Sequence, residues 1–84
     1  MTDLKLYELA GCPYCAKVKE TLADLELEYE SIMVPRSHGE RTEVEAISGQ
    51  TGVPVLVDEA NGVDGMSESN DIVEYLRETY GNAN

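Results

Sequence analysis

The chain has no phenylalanine and no tryptophan, and its only aromatic residues are five tyrosines. A core built from it is therefore aliphatic. No stretch approaches the roughly 18 apolar residues of a membrane span. Basic residues are scarce: six Lys and Arg stand against seventeen Asp and Glu, for a net charge of −11. A surface of that sign repels nucleic acid and anionic membranes over most of its area. Histidine occurs once, at His38, and cysteine twice, at Cys12 and Cys15. A zinc site wants four ligands, usually two such cysteine pairs or added histidines. That inventory falls short of one, and His38 reads as a surface histidine in a loop. Met1-Thr2-Asp3 leads straight into a strand pattern with no signal or transit segment. The expectation is a cytoplasmic protein, where thiols are kept mostly reduced and structural disulfides are rare.

What is present fits one small domain over residues 1–84. A chain this short buries only about 60–65% of its unfolded surface. Its hydrophobic share of 42% is enough for a globular fold. The acids are spread along the whole chain rather than gathered into a tail, which reads as a solvated surface adapted to high salt, as in a haloarchaeon. A basic partner is the alternative. At 1 M salt the Debye length falls to about 3 Å and the self-repulsion is screened; in dilute buffer the fold should weaken.

Leu4, Leu6 and Leu9 alternate imperfectly with Lys5, Tyr7 and Glu8, so residues 3–9 are expected as the first strand. Residues 13–27 are expected as a helix. Pro13 suits its first position, and Cys15, Val18, Leu22 and Leu25 share one face. Tyr29 to Val34 read as a second strand. Ser37 and Glu40 have capping-box spacing ahead of a thin helix over 39–48, which Gly49 terminates. Val53 to Val57 read as a strand, with Pro54 at its first residue or on an edge. Asn61-Gly62 is a hairpin signal, so Val63 to Met66 should pair antiparallel with that strand. Ser67 to Tyr80 form the last helix, with Ile72, Val73, Leu76 and Tyr80 inward and Gly81 closing it. The order βαβαββα gives a four-stranded mixed sheet with three helices, an α/β architecture.

The chemistry concentrates at Gly11-Cys12-Pro13-Tyr14-Cys15, between the first strand and the first helix. A Cys-x-x-Cys pair at such a junction, in a chain with no other cysteine, reads as a thiol-disulfide redox site. Cys12 takes the N-cap of the helix, where the free N–H groups of the first turn favour a thiolate. Lys17 and Lys19 add positive charge nearby; an ordinary solvated helix face is the other reading of those two. Cys15 lies one turn further in, on the apolar face. Cys12 then attacks a disulfide, and either Cys15 or a small thiol resolves the mixed disulfide. An iron–sulfur cluster bridging two copies is the alternative use of the pair.

Cys12-Pro13-Tyr14-Cys15 is identical to the active-site motif of dithiol glutaredoxins. Thr51-Gly52-Val53-Pro54 resembles the Thr-Val-Pro element of that family. Glu68-Ser69 with Ile72 and Tyr75-Leu76 resembles the Glu-Ser…Ile…Tyr-Leu signature of the glutathione-transferase N-terminal domain. The resemblance covers roughly residues 3–81 and implies a thioredoxin-like fold and a glutaredoxin-like oxidoreductase, with no tightly bound cofactor or metal. It implies a low-molecular-weight thiol, glutathione or γ-glutamylcysteine, as co-substrate, and disulfide-containing proteins as partners of a monomer. It implies catalytic roles for Cys12, Cys15 and Lys19, and thiol-substrate binding by Tyr14, Val53, Pro54, Glu68 and Ser69. Pro54 should be cis, Val53 should offer its backbone to the cysteinyl group, and Glu68 and Ser69 should receive the γ-glutamyl group. Two positions depart from the glutaredoxin pattern. Leu9 stands where a lysine is usual, and Gln50 where an Arg or Gln usually helps hold the glycine carboxylate. The glycine end of the thiol site then lacks its main cation, which points to γ-glutamylcysteine unless Arg36 or Arg41 substitutes. A thioredoxin-like protein disulfide reductase is the alternative within the same chemistry.

Overall fold

A computed structural model describes residues 4–81. Strand β1 (Leu4–Glu8) leads into helix α1 (Pro13–Asp24), and strand β2 (Glu30–Met33) follows. A short 3-10 turn (His38–Glu40) precedes helix α2 (Thr42–Ser48). Strands β3 (Val55–Asp58) and β4 (Val63–Met66) then flank a second 3-10 turn (Glu59–Asn61), and helix α3 (Ser69–Tyr80) closes the series. The strands form one sheet in the order β2-β1-β3-β4. β1 pairs parallel with β2 and antiparallel with β3, and β3 pairs antiparallel with β4. This is the four-stranded mixed α/β sheet expected from the element order, and the thioredoxin-like fold that the resemblance implies.

Strand alternation divides the core into two layers. Leu4, Leu6 and Leu56 face α1 and α3, where they meet Val18, Leu22, Ile72 and Leu76. Tyr7, Val55 and Val57 face the other way and meet Val34 and Val44, with Ile47 packed against them. The same parity carries two carboxylates inside. Glu8 has the parity of Leu4 and Leu6, Asp58 that of Leu56, and both are buried. The expected alternation, with Glu8 as an outward polar residue and Leu9 on the leucine face, is corrected here: Leu9 packs with the α2-side cluster.

Several boundaries differ from those read off the periodicity. α1 stops at Asp24 rather than 27. Glu26 adopts φ +56, and the N–H groups of Glu26 and Leu27 bond back to the carbonyls of Ala23 and Leu22. That pattern is a Schellman cap, with glutamate where glycine is usual, and it returns Leu27 to the core beside Leu22. Ser37 makes no side-chain cap bond; it starts only the short 3-10 turn, and α2 begins later, after Arg41. Gly49 does end α2, at φ +78. The β3–β4 connection is longer than a two-residue Asn-Gly hairpin. It runs through the 3-10 turn to Gly62 at φ +73, because Asn61 turns its amide onto Asp58 at 2.9 Å. α3 begins at Ser69 rather than Ser67, with Glu68 as its N-cap.

β4 and α2 meet at Gly65, where an added Cβ would fall 2.3 Å from the Ile47 carbonyl oxygen. Both groups are backbone, so the clash is relieved only by moving the helix off the strand. Gly65→Ala is expected to lower stability by about 1–3 kcal/mol, read as a fall in the urea midpoint at an unchanged slope. A midpoint equal to wild type would show that α2 shifts freely.

Candidate active site

Pro13 at the first helical position starts α1 immediately after Cys12, and the chain reverses into it through Gly11 at φ +82. Cys12 is the N-cap, with extended backbone (φ −84, ψ 115). Its Sγ accepts a hydrogen bond from the Cys15 N–H at 3.3 Å. The sulfur thus occupies the place that a serine or aspartate oxygen takes at an ordinary helix start. Both cysteines are free thiols; Cys12 is partly exposed and Cys15 is 1% exposed. Burial pushes the Cys15 thiol up to about 12. The Cys12 sulfur and the Glu8 carboxylate add to that effect, and a Leu9 backbone contact opposes it. The pair is asymmetric as expected: one sulfur at the surface on a helix N-terminus, one sealed below it.

A cleft of about 320 Å³ opens at Tyr14, which lies between the two cysteines in sequence. Tyr14, Val53, Pro54, Glu68 and Ser69 all line it, together with Asn70. All five residues expected to bind the thiol substrate are therefore brought together, from α1, the loop before β3, and the start of α3. The Val53–Pro54 peptide is cis, as the resemblance implies. Tyr14 stands 63% exposed at the rim. Lys17 donates from α1 to the Asn70 side-chain oxygen, placing a cation at the α3 end of the cleft.

Lys19 is positioned differently. Its ammonium lies 3.0 Å from Glu8 Oε1, and that hydrogen bond, with the Glu8 charge, holds the ammonium above its ordinary pKa. Lys19 lines a second cavity, of about 270 Å³, shared with Cys12, Cys15 and Glu8. Its charge is thus shared with a carboxylate rather than offered whole to the sulfur. Glu8 is the residue that the sequence reading missed. Its parity with Leu4 and Leu6, at a position where a third leucine would fit, is the signal that was there to be used.

Arg41 does not substitute for the missing lysine. It is buried, and its guanidinium donates to three carbonyls: Pro35 at 2.7 Å, Thr51 at 2.9 Å and Arg36 at 3.1 Å. It braces the loop that carries Thr51 to Pro54. Gln50 is likewise turned inward, onto Ser48 Oγ and the backbone of Gly52. His38 is exposed and hydrogen-bonded to the Thr51 hydroxyl at 3.0 Å. Among the described residues no three His, Cys, Asp or Glu gather as a metal site, and no helix is long and apolar enough to cross a membrane.

The glutathione S-transferase N-terminal domain family matches residues 6–84. An uncharacterized glutaredoxin-like 8.6 kDa protein in the rubredoxin operon of Clostridium pasteurianum is 32% identical over 66 residues, covering 79% of this chain and 88% of that protein. Among solved structures, a glutathione transferase homolog from Drosophila mojavensis with bound glutathione is 32% identical, with a TM-score of 0.82. It is covered over 98% of this chain and 37% of its own. Glutaredoxin 2 from Salmonella typhimurium, in complex with glutathione, is 26% identical with a TM-score of 0.80, over 96% of this chain and 35% of its own. The chain thus spans little more than a third of the length of these solved relatives. The match along most of the chain, the mixed sheet and the cysteine pair at the start of α1 agree: the chain belongs to the glutathione S-transferase N-terminal domain family, on its glutaredoxin-like, thioredoxin-fold side.

Proposed function

We propose that the chain is a glutaredoxin-like thiol-disulfide oxidoreductase, working as one domain on disulfides and mixed disulfides of the cytoplasm. Cys12 is the nucleophile and Cys15 the resolving thiol. The observation that carries this reading is the Cys12 Sγ at the helix N-terminus, 3.3 Å from the Cys15 N–H, with Tyr14, two residues on, lining an open cleft. A sulfur so placed attacks as thiolate, and the substrate sulfur leaves. Tyr14, Val53 and Pro54 would bound the cysteinyl part of a small thiol. Glu68, Ser69 and the start of α3 would receive its γ-glutamyl end, where backbone N–H groups suit a carboxylate. Lys17, held on Asn70, adds a cation at that end. The glutathione in two of the related structures supports a thiol of this class.

The positions at which the resemblance expects the glycine carboxylate to be held favour a thiol without it. Leu9 is apolar, Arg41 holds three carbonyls and Gln50 holds its own loop. A charge-assisted hydrogen bond is worth about 1.5–3 kcal/mol, so a site that made one to the glycine carboxylate would prefer glutathione by about tenfold or more. Here γ-glutamylcysteine is expected to match or exceed glutathione in kcat/KM. The test is turnover of a small mixed disulfide in concentrated potassium chloride with each thiol in parallel. A tenfold preference for glutathione would sink the specificity claim, and no Cys12-dependent turnover with either thiol would sink the enzyme reading in favour of a protein-served reductase or a carrier.

A further inference from the structure

Arg41 breaks three local rules at once. It is the N-cap of α2 and makes no side-chain cap bond, where a serine, threonine, aspartate or asparagine is usual. A cation there also opposes the helix dipole. It is buried, at 4% exposed, and among the described residues no carboxylate pairs with it. A buried guanidinium without a counter-charge is expensive to desolvate. What it holds is backbone. Nε donates to the Pro35 carbonyl, Nη1 to Thr51 and Nη2 to Arg36. One planar fork thus ties the loop after β2 to the loop before β3.

Gln50 grips the second loop by another route. Its Oε1 accepts from the Gly52 N–H at 2.6 Å, and its Nε2 donates to the Gly52 carbonyl at 3.0 Å and to Ser48 Oγ at 2.9 Å. The amide pairs with both backbone groups of Gly52 much as a neighbouring strand would. Residues 51–54 belong to no helix or strand, so side chains fix here what a ladder fixes in the sheet. The next residue is left open. Among the described residues nothing bonds the Val53 N–H or carbonyl, and Val53 lines the cleft together with Pro54.

We propose that Arg41 and Gln50 are positioning residues for the thiol subsite. They fix the Thr51–Pro54 loop so that the open Val53 peptide meets the cysteinyl amide and carboxyl groups of bound γ-glutamylcysteine. The inference rests on the reading of the cleft as the thiol subsite and of Cys12 as the nucleophile. Neither side chain touches the thiol. Gln50 has both amide atoms on its own segment, so it serves the substrate through Val53 and not by holding a substrate carboxylate.

A reading in which Arg41 serves only stability predicts a lower Tm and an unchanged substrate preference. A reading in which its charge attracts an anionic thiol predicts that lysine replaces it. The experiment mixes the reduced full chain, in concentrated potassium chloride, with two mixed disulfides of nitrothiobenzoate. One carries γ-glutamylcysteine and the other mercaptoethanol. Cys12 attacks the aliphatic sulfur, the S–S bond breaks, and nitrothiobenzoate leaves as a coloured thiolate. Stopped flow gives a second-order rate constant for each, at a temperature where every variant is folded by circular dichroism. Wild type should prefer the γ-glutamylcysteine substrate by more than about tenfold. In Arg41→Lys and Arg41→Met that ratio should fall by about tenfold, as for two misplaced backbone hydrogen bonds, while the mercaptoethanol rate stays within about twofold. A wild-type ratio in either variant overturns the proposal; one kept by lysine alone makes the charge the cause. If neither Arg41 variant folds, Gln50→Ala decides: its ratio should fall several-fold, and a wild-type ratio overturns the proposal. A wild type with no preference would instead overturn the cleft as the thiol subsite, and the proposal with it. Absence of Cys12-dependent colour would overturn the role of Cys12.

Discussion

A Cys12→Ser chain is expected to fold as wild type does and to lose disulfide turnover by about a thousandfold or more. Losses of that order accompany removal of a nucleophile, and the geometry leaves no substitute. Cys15 is buried, and burial pushes its thiol up to about 12, so it is a poor source of thiolate at neutral pH. The serine oxygen can still accept the Cys15 N–H bond, so the helix start survives and the loss is chemical. Cys15→Ser should behave otherwise. With a small thiol as reductant, turnover of a mixed disulfide should stay within a few-fold of wild type, because that thiol resolves the Cys12 intermediate directly. Reduction of an intramolecular protein disulfide should fall steeply, since no second protein sulfur is present to release the substrate. The comparison is made with both substrates at one pH and salt concentration. Substantial turnover in Cys12→Ser would reassign the nucleophile. Equal losses on both substrates in Cys15→Ser would identify a strictly dithiol reductase.

The cysteine pair was legible because its chemistry is local. Proline at the first helical position, an N-cap sulfur and an apolar face at helical spacing all lie within a few residues of Cys12. The cleft was legible only through the resemblance: nothing in the spacing of Tyr14, Val53 and Glu68 says that α1, the loop before β3 and the start of α3 converge. The missed features all involve polar groups whose partners are distant in sequence. Glu8 reads as an exposed residue of an alternating strand until Lys19 and Ser31 close on it. Arg41 reads as a free cation until the Pro35, Arg36 and Thr51 carbonyls are seen around it. The end of α1 was misplaced because Leu25 and Leu27 prolong the apolar pattern, while the chain turns at Glu26 in a conformation that glutamate rarely takes.

Asp58→Asn is expected to destabilise the fold by about 3 kcal/mol, or about 15 °C in Tm for a domain of this size. Asp58 lies at the other end of the sheet from the cysteines, since it pairs with Leu4 at the start of β1. Three donors converge on its Oδ2: the hydroxyls of Tyr75 and Tyr80, each at 2.5 Å, and the Asn61 amide at 2.9 Å. Together they tie α3 and the β3–β4 turn to the strand. Burial by itself would raise the carboxyl's pKa, but the three donors outweigh it, and the group titrates below its ordinary range. The sign of the pH dependence follows. The unfolded chain takes up a proton near pH 3.9 while the folded chain does not, so the contribution of Asp58 is complete above that pH. It is lost as pH falls through the folded value. The alkaline side is set by Tyr75, whose hydroxyl is pushed to about 12 by burial and then by Asp58. Between about pH 10 and that value the unfolded tyrosine has lost its proton and the folded one has kept it, so stability falls as pH rises. Melting curves of both proteins from pH 2.5 to 7, at one high salt concentration that screens the surface acids, should show a shallower acid slope in the variant. An absorbance titration of the folded variant should show a tyrosine ionising nearer to 10. An acid slope equal to wild type would mean that the tyrosines hold α3 without the charge, and that Asp58 is replaceable by any acceptor of its shape.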